Sequence, residues 1–189
     1  MTKTDRARYG INWRIIGWGG AVTLLLVPFI AMRVGGTGFD WTLGDFVVAG
    51  VLFGVVGLAI ELLVRQSSIL SYRIGAVVAV FAGLFLIWIN LAVGIIGSEE
   101  HDANMLYALV IAVAVGGAIV ARLQAGGMAL AMFAAALVAV LIALTAVAMG
   151  WGAETVNWPR DVLGATGINA TMWLVSAALF RMAARAAAR

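Results

Sequence analysis

Residues 43–64 read Leu43-Gly-Asp-Phe-Val-Val-Ala-Gly-Val-Leu-Phe-Gly-Val-Val-Gly-Leu-Ala-Ile-Glu-Leu-Leu-Val64, a run in which Asp45 and Glu61 are the only charges. A bilayer core of about 30 Å is crossed by about 20 apolar residues in a helix, and this run has that length. Helix is the conformation lipid demands here, because an open strand would leave its backbone donors and acceptors without partners. The alternation of a barrel strand is absent. The stretch therefore predicts a membrane-crossing helix, and the rest of the chain is read from it.

Five further segments share its character. The predicted spans are 14–32, 43–64, 72–97, 104–121, 128–150 and 160–182, joined by short polar stretches, so the expected fold is an all-α, polytopic transmembrane bundle of six helices. Composition agrees: 64% of residues are hydrophobic and 11% charged, against roughly 45–50% apolar in a soluble domain. No segment is long and polar enough for a second domain, so residues 1–189 are expected to form one transmembrane domain. The first span follows Lys3, Arg6 and Arg8, is too long for a signal-peptide core and ends at Met32-Arg33 without a small-x-small cleavage pattern, which predicts that it is retained. The chain has no cysteine, which excludes disulfides, thiolate metal sites and cysteine nucleophiles.

Basic residues set the expected orientation. With a cytoplasmic N-terminus, six crossings place Lys3, Arg6, Arg8, Arg14, Arg65, Arg73, Arg122, Arg181, Arg185 and Arg189 on the inner side and leave only Arg33 and Arg160 outside, as positive-inside orientation requires. Both termini are then cytoplasmic. Asp40, Asp45, Glu99, Glu100, Asp102, Glu154 and Asp161 gather on the outer side. Trp13 and Trp18 fall near the inner boundary and Trp41, Trp151 and Trp158 near the outer one, where amphipathic rings settle.

Local chemistry explains several conspicuous residues. Thr42 and Asp45 are spaced as a capping box for the second helix. Pro159 and Asp161 suit the first turn of the sixth. Pro28 is expected to kink the first helix, and Gly126-Gly127 to make the turn between the fourth and fifth. Gly50, Gly54 and Gly57 form a small-residue stripe on the second helix that suits a close helix contact, within the chain or with another.

Polar residues inside apolar spans are costly and often functional. Glu61 has two readings: an i,i+4 ion pair with Arg65, or a proton or cation relay. Asn90 and Asn169 are predicted to lie at similar depth below the outer surface, pairing across the bundle or lining a shallow outer cavity. Thr145, Thr166 and Thr171 share those outer portions, and Trp88 and Trp173 are deep enough to pack among them. At the surface, Gly97-Ser-Glu-Glu-His-Asp-Ala-Asn104 is the most polar run. Its Glu99, Glu100, His101 and Asp102, with Asp40, Asp45 and Glu154, form a candidate acidic rim. One histidine does not assemble a zinc site, bis-histidine haem or a His-based triad. The run is expected to be a solvated, flexible loop, with Asp102 or Asn104 capping the next helix.

The runs Trp88-Ile-Asn-Leu-Ala-Val-Gly-Ile-Ile-Gly-Ser-Glu99, Asp102-Ala-Asn104 and Asp161-Val-Leu-Gly164 onward to Phe180-Arg181 resemble small six-helix inner-membrane proteins of Gram-negative bacteria. The resemblance covers helices two to six. It implies a bacterial inner-membrane location and carries no activity, cofactor or catalytic residue with it.

Three functions follow as expectations. The first is a non-enzymatic accessory or structural protein of the membrane, its partners the lipid bilayer and either a second copy or another membrane protein. No catalytic residue, metal, cofactor or nucleic acid is expected. The second is a small cation transporter or channel with an acidic outer mouth and Asn90, Asn169 and Glu61 along its path, against which stands the lack of a visible inverted repeat. The third is a divalent-cation or pH sensor built on the acidic loops, with His101 titrating.

Overall fold

The computed structural model describes residues 13–34 and 40–189. It contains six α-helices, α1 Trp13–Val34, α2 Leu43–Val64, α3 Leu70–Ala92, α4 Ala108–Val120, α5 Ala125–Met149 and α6 Arg160–Ala187, with a 3-10 helix over Asp102–Tyr107 leading into α4. There is no strand among the described residues. All six predicted spans have a counterpart long and apolar enough to cross a membrane. The fourth gets its length in an unexpected way. Its α-helix has 13 residues, about 20 Å at 1.5 Å per residue, too short for the bilayer core. The preceding six-residue 3-10 helix, rising about 2 Å per residue, adds about 12 Å.

The chain forms two compact units whose boundary falls inside α2, after Leu58. In the first, the capping box of α2 is present: the Thr42 amide donates to Asp45 Oδ2 at 2.7 Å and the Asp45 amide donates to Thr42 Oγ1 at 3.4 Å. Phe46 meets Trp41 and Phe29 edge-on, with ring centroids 5.2 and 6.3 Å away. The Arg33 guanidinium lies 5.2 Å above the Phe29 ring. Helix α1 continues through Pro28 to Val34. Among the described residues, the glycine stripe is engaged at Gly57. A Cβ on Gly57 would lie 2.9 Å from the Trp18 ring, whereas one on Gly50 or Gly54 would meet nothing within 4 Å. Gly57 thus receives an indole, while no described residue approaches Gly50 or Gly54.

The second unit, from Ala59 onward, holds the core. In α6 the buried residues Val162, Thr166, Asn169, Trp173, Ser176, Phe180 and Ala183 follow one another at alternating steps of four and three. The same alternation runs through Met128, Met132, Ala135, Ala139, Ile142 and Ala146 of α5, and through Tyr72, Gly75, Ala79, Ala82 and Leu86 of α3. A 3.5-residue repeat is the seam of a left-handed supercoil. Helix α6 packs against both α3 and α5, and α5 packs against α4. In lipid, burial of apolar surface gives helices little drive to associate, so close packing and hydrogen bonds have to hold them. Small side chains permit this. A Cβ on Gly117 of α4 would stand 2.6 Å from Ala131 Cβ of α5, and the Ser176 hydroxyl of α6 donates to the Gly75 carbonyl of α3 at 2.8 Å.

The turn between α4 and α5 differs from expectation. It is made by Arg122 and Leu123, both left-handed with φ of 48° and 58°, while Gly126 and Gly127 lie in the first turn of α5. Glycine is needed at 127 for proximity: a Cβ there would sit 2.5 Å from Ala121 Cβ. The unusual backbone of the turn is held by Tyr72, whose hydroxyl donates to the Leu123 carbonyl at 2.6 Å. The Tyr72 ring is itself fixed edge-on against Phe180, 5.0 Å between centroids.

Candidate functional site

The end of the second unit that carries the acids is built around Asn104. Helix α3 stops at Ala92, five residues before the predicted end, and the chain turns through Gly94 and Gly97, both with positive φ. Side chains are excluded at the first of these, since a Cβ on Gly94 would lie 2.5 Å from the Ser98 carbonyl oxygen and 2.8 Å from Asn104 Nδ2. Asn104 Oδ1 accepts from the Ile95 and Ile96 amides, each at 2.9 Å. Its Nδ2 donates to the carbonyls of Ile96, at 3.1 Å, and Ser98, at 2.7 Å. Every donor and acceptor position of one carboxamide is thereby used. Ile95 and Ile96 are buried beneath the turn.

The polar run 97–104 thus crosses from α3 to the 3-10 helix as a turn closed around Asn104, its acids exposed to solvent as expected. His101 is the residue that caps the 3-10 helix, its Nδ1 accepting from the Ala103 amide at 3.2 Å. The roles predicted for Asp102 and Asn104 as helix caps do not materialise, because Asn104 is turned to the preceding loop. Glu99, Glu100 and Asp102 face outward. Glu154 and His101 flank Gly97: the Glu154 Oε1 and His101 Cδ2 atoms each lie 3.3 Å from the position of a Gly97 Cβ. Asp40 and Asp45 belong to the first unit, where both are exposed. Among the described residues no three His, Asp or Glu side chains stand close enough to share a metal ion.

Asn90 and Asn169 do not meet. Asn169 is fully buried; its Nδ2 donates to the Ala82 carbonyl of α3 at 2.9 Å and its Oδ1 accepts from the Trp173 indole at 2.8 Å. Asn90 donates to the Leu86 carbonyl of its own helix at 2.8 Å, and its Oδ1 is buried without a hydrogen-bond partner among the described residues. Their depths explain the separation. Asn90 is two residues from the end of α3 and Asn169 nine from the start of α6, a difference of about 10 Å along the axes. Trp173 packs inside, as expected; Trp88 is 41% exposed.

The remaining polar residues have local or interhelical partners. Glu61 is paired with Arg65 across one helical turn, which is the structural one of its two readings. Thr145 and Thr171 donate to Leu141 and Gly167 in their own helices. Thr166 lies 2.7 Å from the Tyr107 hydroxyl in a buried contact between α6 and the 3-10 helix. Sequence reasoning singled out neither Tyr107 nor Tyr72. A tyrosine inside an apolar span is the signal that marks both, since a buried hydroxyl needs a partner.

A cavity of about 340 Å³ opens at this end between the close of α3 and the start of α6. Its lining includes the apolar Ile89, Val93, Val162 and Ala165 and the polar Thr155, Arg160 and Asp161. Trp158 borders it too, its indole donating to the Trp151 carbonyl at 3.0 Å. The two asparagines do not line this cavity. The six helices, each long and apolar enough to cross a bilayer, give the chain the fold of a multi-pass helical membrane protein. No protein family, curated protein or solved structure matches the chain.

Proposed function

We propose that the chain is a non-enzymatic protein of the bacterial inner membrane, with both termini in the cytoplasm and an accessory or structural role toward a second copy or another membrane protein. The observation that carries this reading is the bonding of Asn169. A carboxamide in the middle of a bundle marks either a path for a polar species or a tie between helices, and here both of its ends are occupied by Ala82 and Trp173. Ser176 to Gly75 and Tyr107 to Thr166 use buried polarity in the same way. Glu61, engaged by Arg65, supports the same view.

Cation flux into proteoliposomes tests the role against the transporter alternative. The expected result is flux no greater than in protein-free vesicles, unaltered by Glu61→Gln or Asn90→Leu. Flux that rises with protein and falls in either variant would replace this proposal by the transporter. The orientation is tested on the same cysteine-free background. Val156→Cys, at a 99% exposed site, is expected to react with a membrane-impermeant maleimide in spheroplasts. Arg122→Cys is expected to react only after permeabilisation, and the reverse pattern would invert the topology.

A further inference from the structure

We propose that the cavity beside the start of α6 binds the zwitterionic phosphoethanolamine headgroup of a phospholipid. Its volume, about 340 Å³, is at the small end of the roughly 300–1,000 Å³ of ligand pockets. The lining divides along the helix axes. Ile89 comes from the last turn of α3, and Val162 and Ala165 from the first two turns of α6, so they are apolar side chains on membrane-crossing helices; Val93, just beyond α3, and Thr155, Arg160 and Asp161 stand at the helix ends. A small water-soluble ligand leaves the first set unused, and an acyl chain alone leaves the second. An amphiphile held at the membrane boundary uses both.

The charges choose the headgroup. A guanidinium presents forked donors that match phosphate oxygens. Beside it, the first turn of α6 supplies the Asp161 and Val162 amides, those of Arg160 and Leu163 being bonded to the Asn157 and Pro159 carbonyls, and the positive end of a helix dipole. Asp161 offers an acceptor for an ammonium on the same cavity. Arg160 and Asp161 are both exposed, and among the described residues neither is held in an ion pair. Adjacent charges of opposite sign complement a ligand that carries phosphate and ammonium together. A headgroup with net negative charge meets Asp161 and, at the same end of the unit, Glu99, Glu100, Asp102 and Glu154, which oppose it. The assignment is independent of the accessory role, since a channel or a sensor with this fold presents the same cavity.

Native mass spectrometry of the full chain in detergent, with equimolar phosphatidylethanolamine and phosphatidylglycerol of identical acyl chains, tests the proposal. The ethanolamine lipid is expected to dominate the retained adduct by about tenfold, and Arg160→Gln to lower that adduct by about tenfold, the size of one lost charge-assisted contact. Asp161→Asn is expected to abolish the preference between the two lipids. Both substitutions alter exposed side chains, so the fold survives them. Soluble O-phosphoethanolamine at the lipid's concentration should leave the adduct in place. Equal adducts of the two lipids with the unaltered chain, or a full adduct in Arg160→Gln, overturns the proposal, and displacement by the soluble ester overturns a lipid as the ligand.

Discussion

Asn169 and Ala82 join α6 to α3 through a single hydrogen bond, 2.9 Å from carboxamide nitrogen to backbone oxygen, at a position where Asn169 has no exposed surface. The same side chain orients the Trp173 indole. One residue thus fixes a contact between helices and the ring that fills the space beside it.

Replacing it should be costly. Interhelical hydrogen bonds in membranes contribute about 0.6 kcal/mol on average and at most about 1.7 kcal/mol, and Asn169→Ala also strands the indole N–H. The expected loss is about 2 kcal/mol, measured by pulse proteolysis along an SDS titration in mixed micelles. A loss within error of zero would mean that lipid or a neighbour replaces the bond.

Asn104 is expected to govern the cap. Asn104→Ala leaves the buried Ile95 and Ile96 amides without their acceptor, at about 3 kcal/mol for the two together. Hydrogen exchange read by mass spectrometry should show protection lost across residues 93–101 while α5 and α6 keep theirs. Unchanged exchange at 95 and 96 would assign those amides to other acceptors.

Gly117 and Ala131 should behave as a coupled pair. A Cβ on Gly117 would approach Ala131 Cβ to 2.6 Å, so Gly117→Ala forces α4 away from α5 and is expected to cost about 2 kcal/mol. Adding Ala131→Gly makes room and should recover about 1 kcal/mol of it, in the same SDS titration. Additive losses from the two substitutions would show that the helices separate freely.

Much of this architecture is visible in the residues themselves. Length and hydropathy locate six spans, the Thr42–Asp45 capping box forms as its spacing predicts, and Glu61 lies one helical turn from Arg65. What hydropathy does not show is which side of a helix faces protein, because lipid-facing positions are as apolar as buried ones. The seam is written in side-chain size, as Ala79, Ala82, Ala135, Ala139 and Ser176, and in polar residues that need partners. Hydropathy also fails at helix ends. Ile95 and Ile96 continue the apolar run of α3 although the helix has stopped at Ala92, because they are buried under the cap. That early stop removes the expected pairing of Asn90 with Asn169. At 122–123 two non-glycine residues adopt the left-handed backbone while the glycines nearby serve proximity, a choice only the Tyr72 contact across the fold reveals.

The place of α6 between α3 and α5 has a consequence for assembly. The Gly75 carbonyl receives its hydroxyl from a residue 101 positions later, and the Ala82 carbonyl its carboxamide from one 87 positions later. Helices α3, α4 and α5 all precede that partner in the chain, and α6 is the element that packs against both α3 and α5. Completion of the second unit therefore waits on its last helix, whose docking supplies both interhelical donors at once.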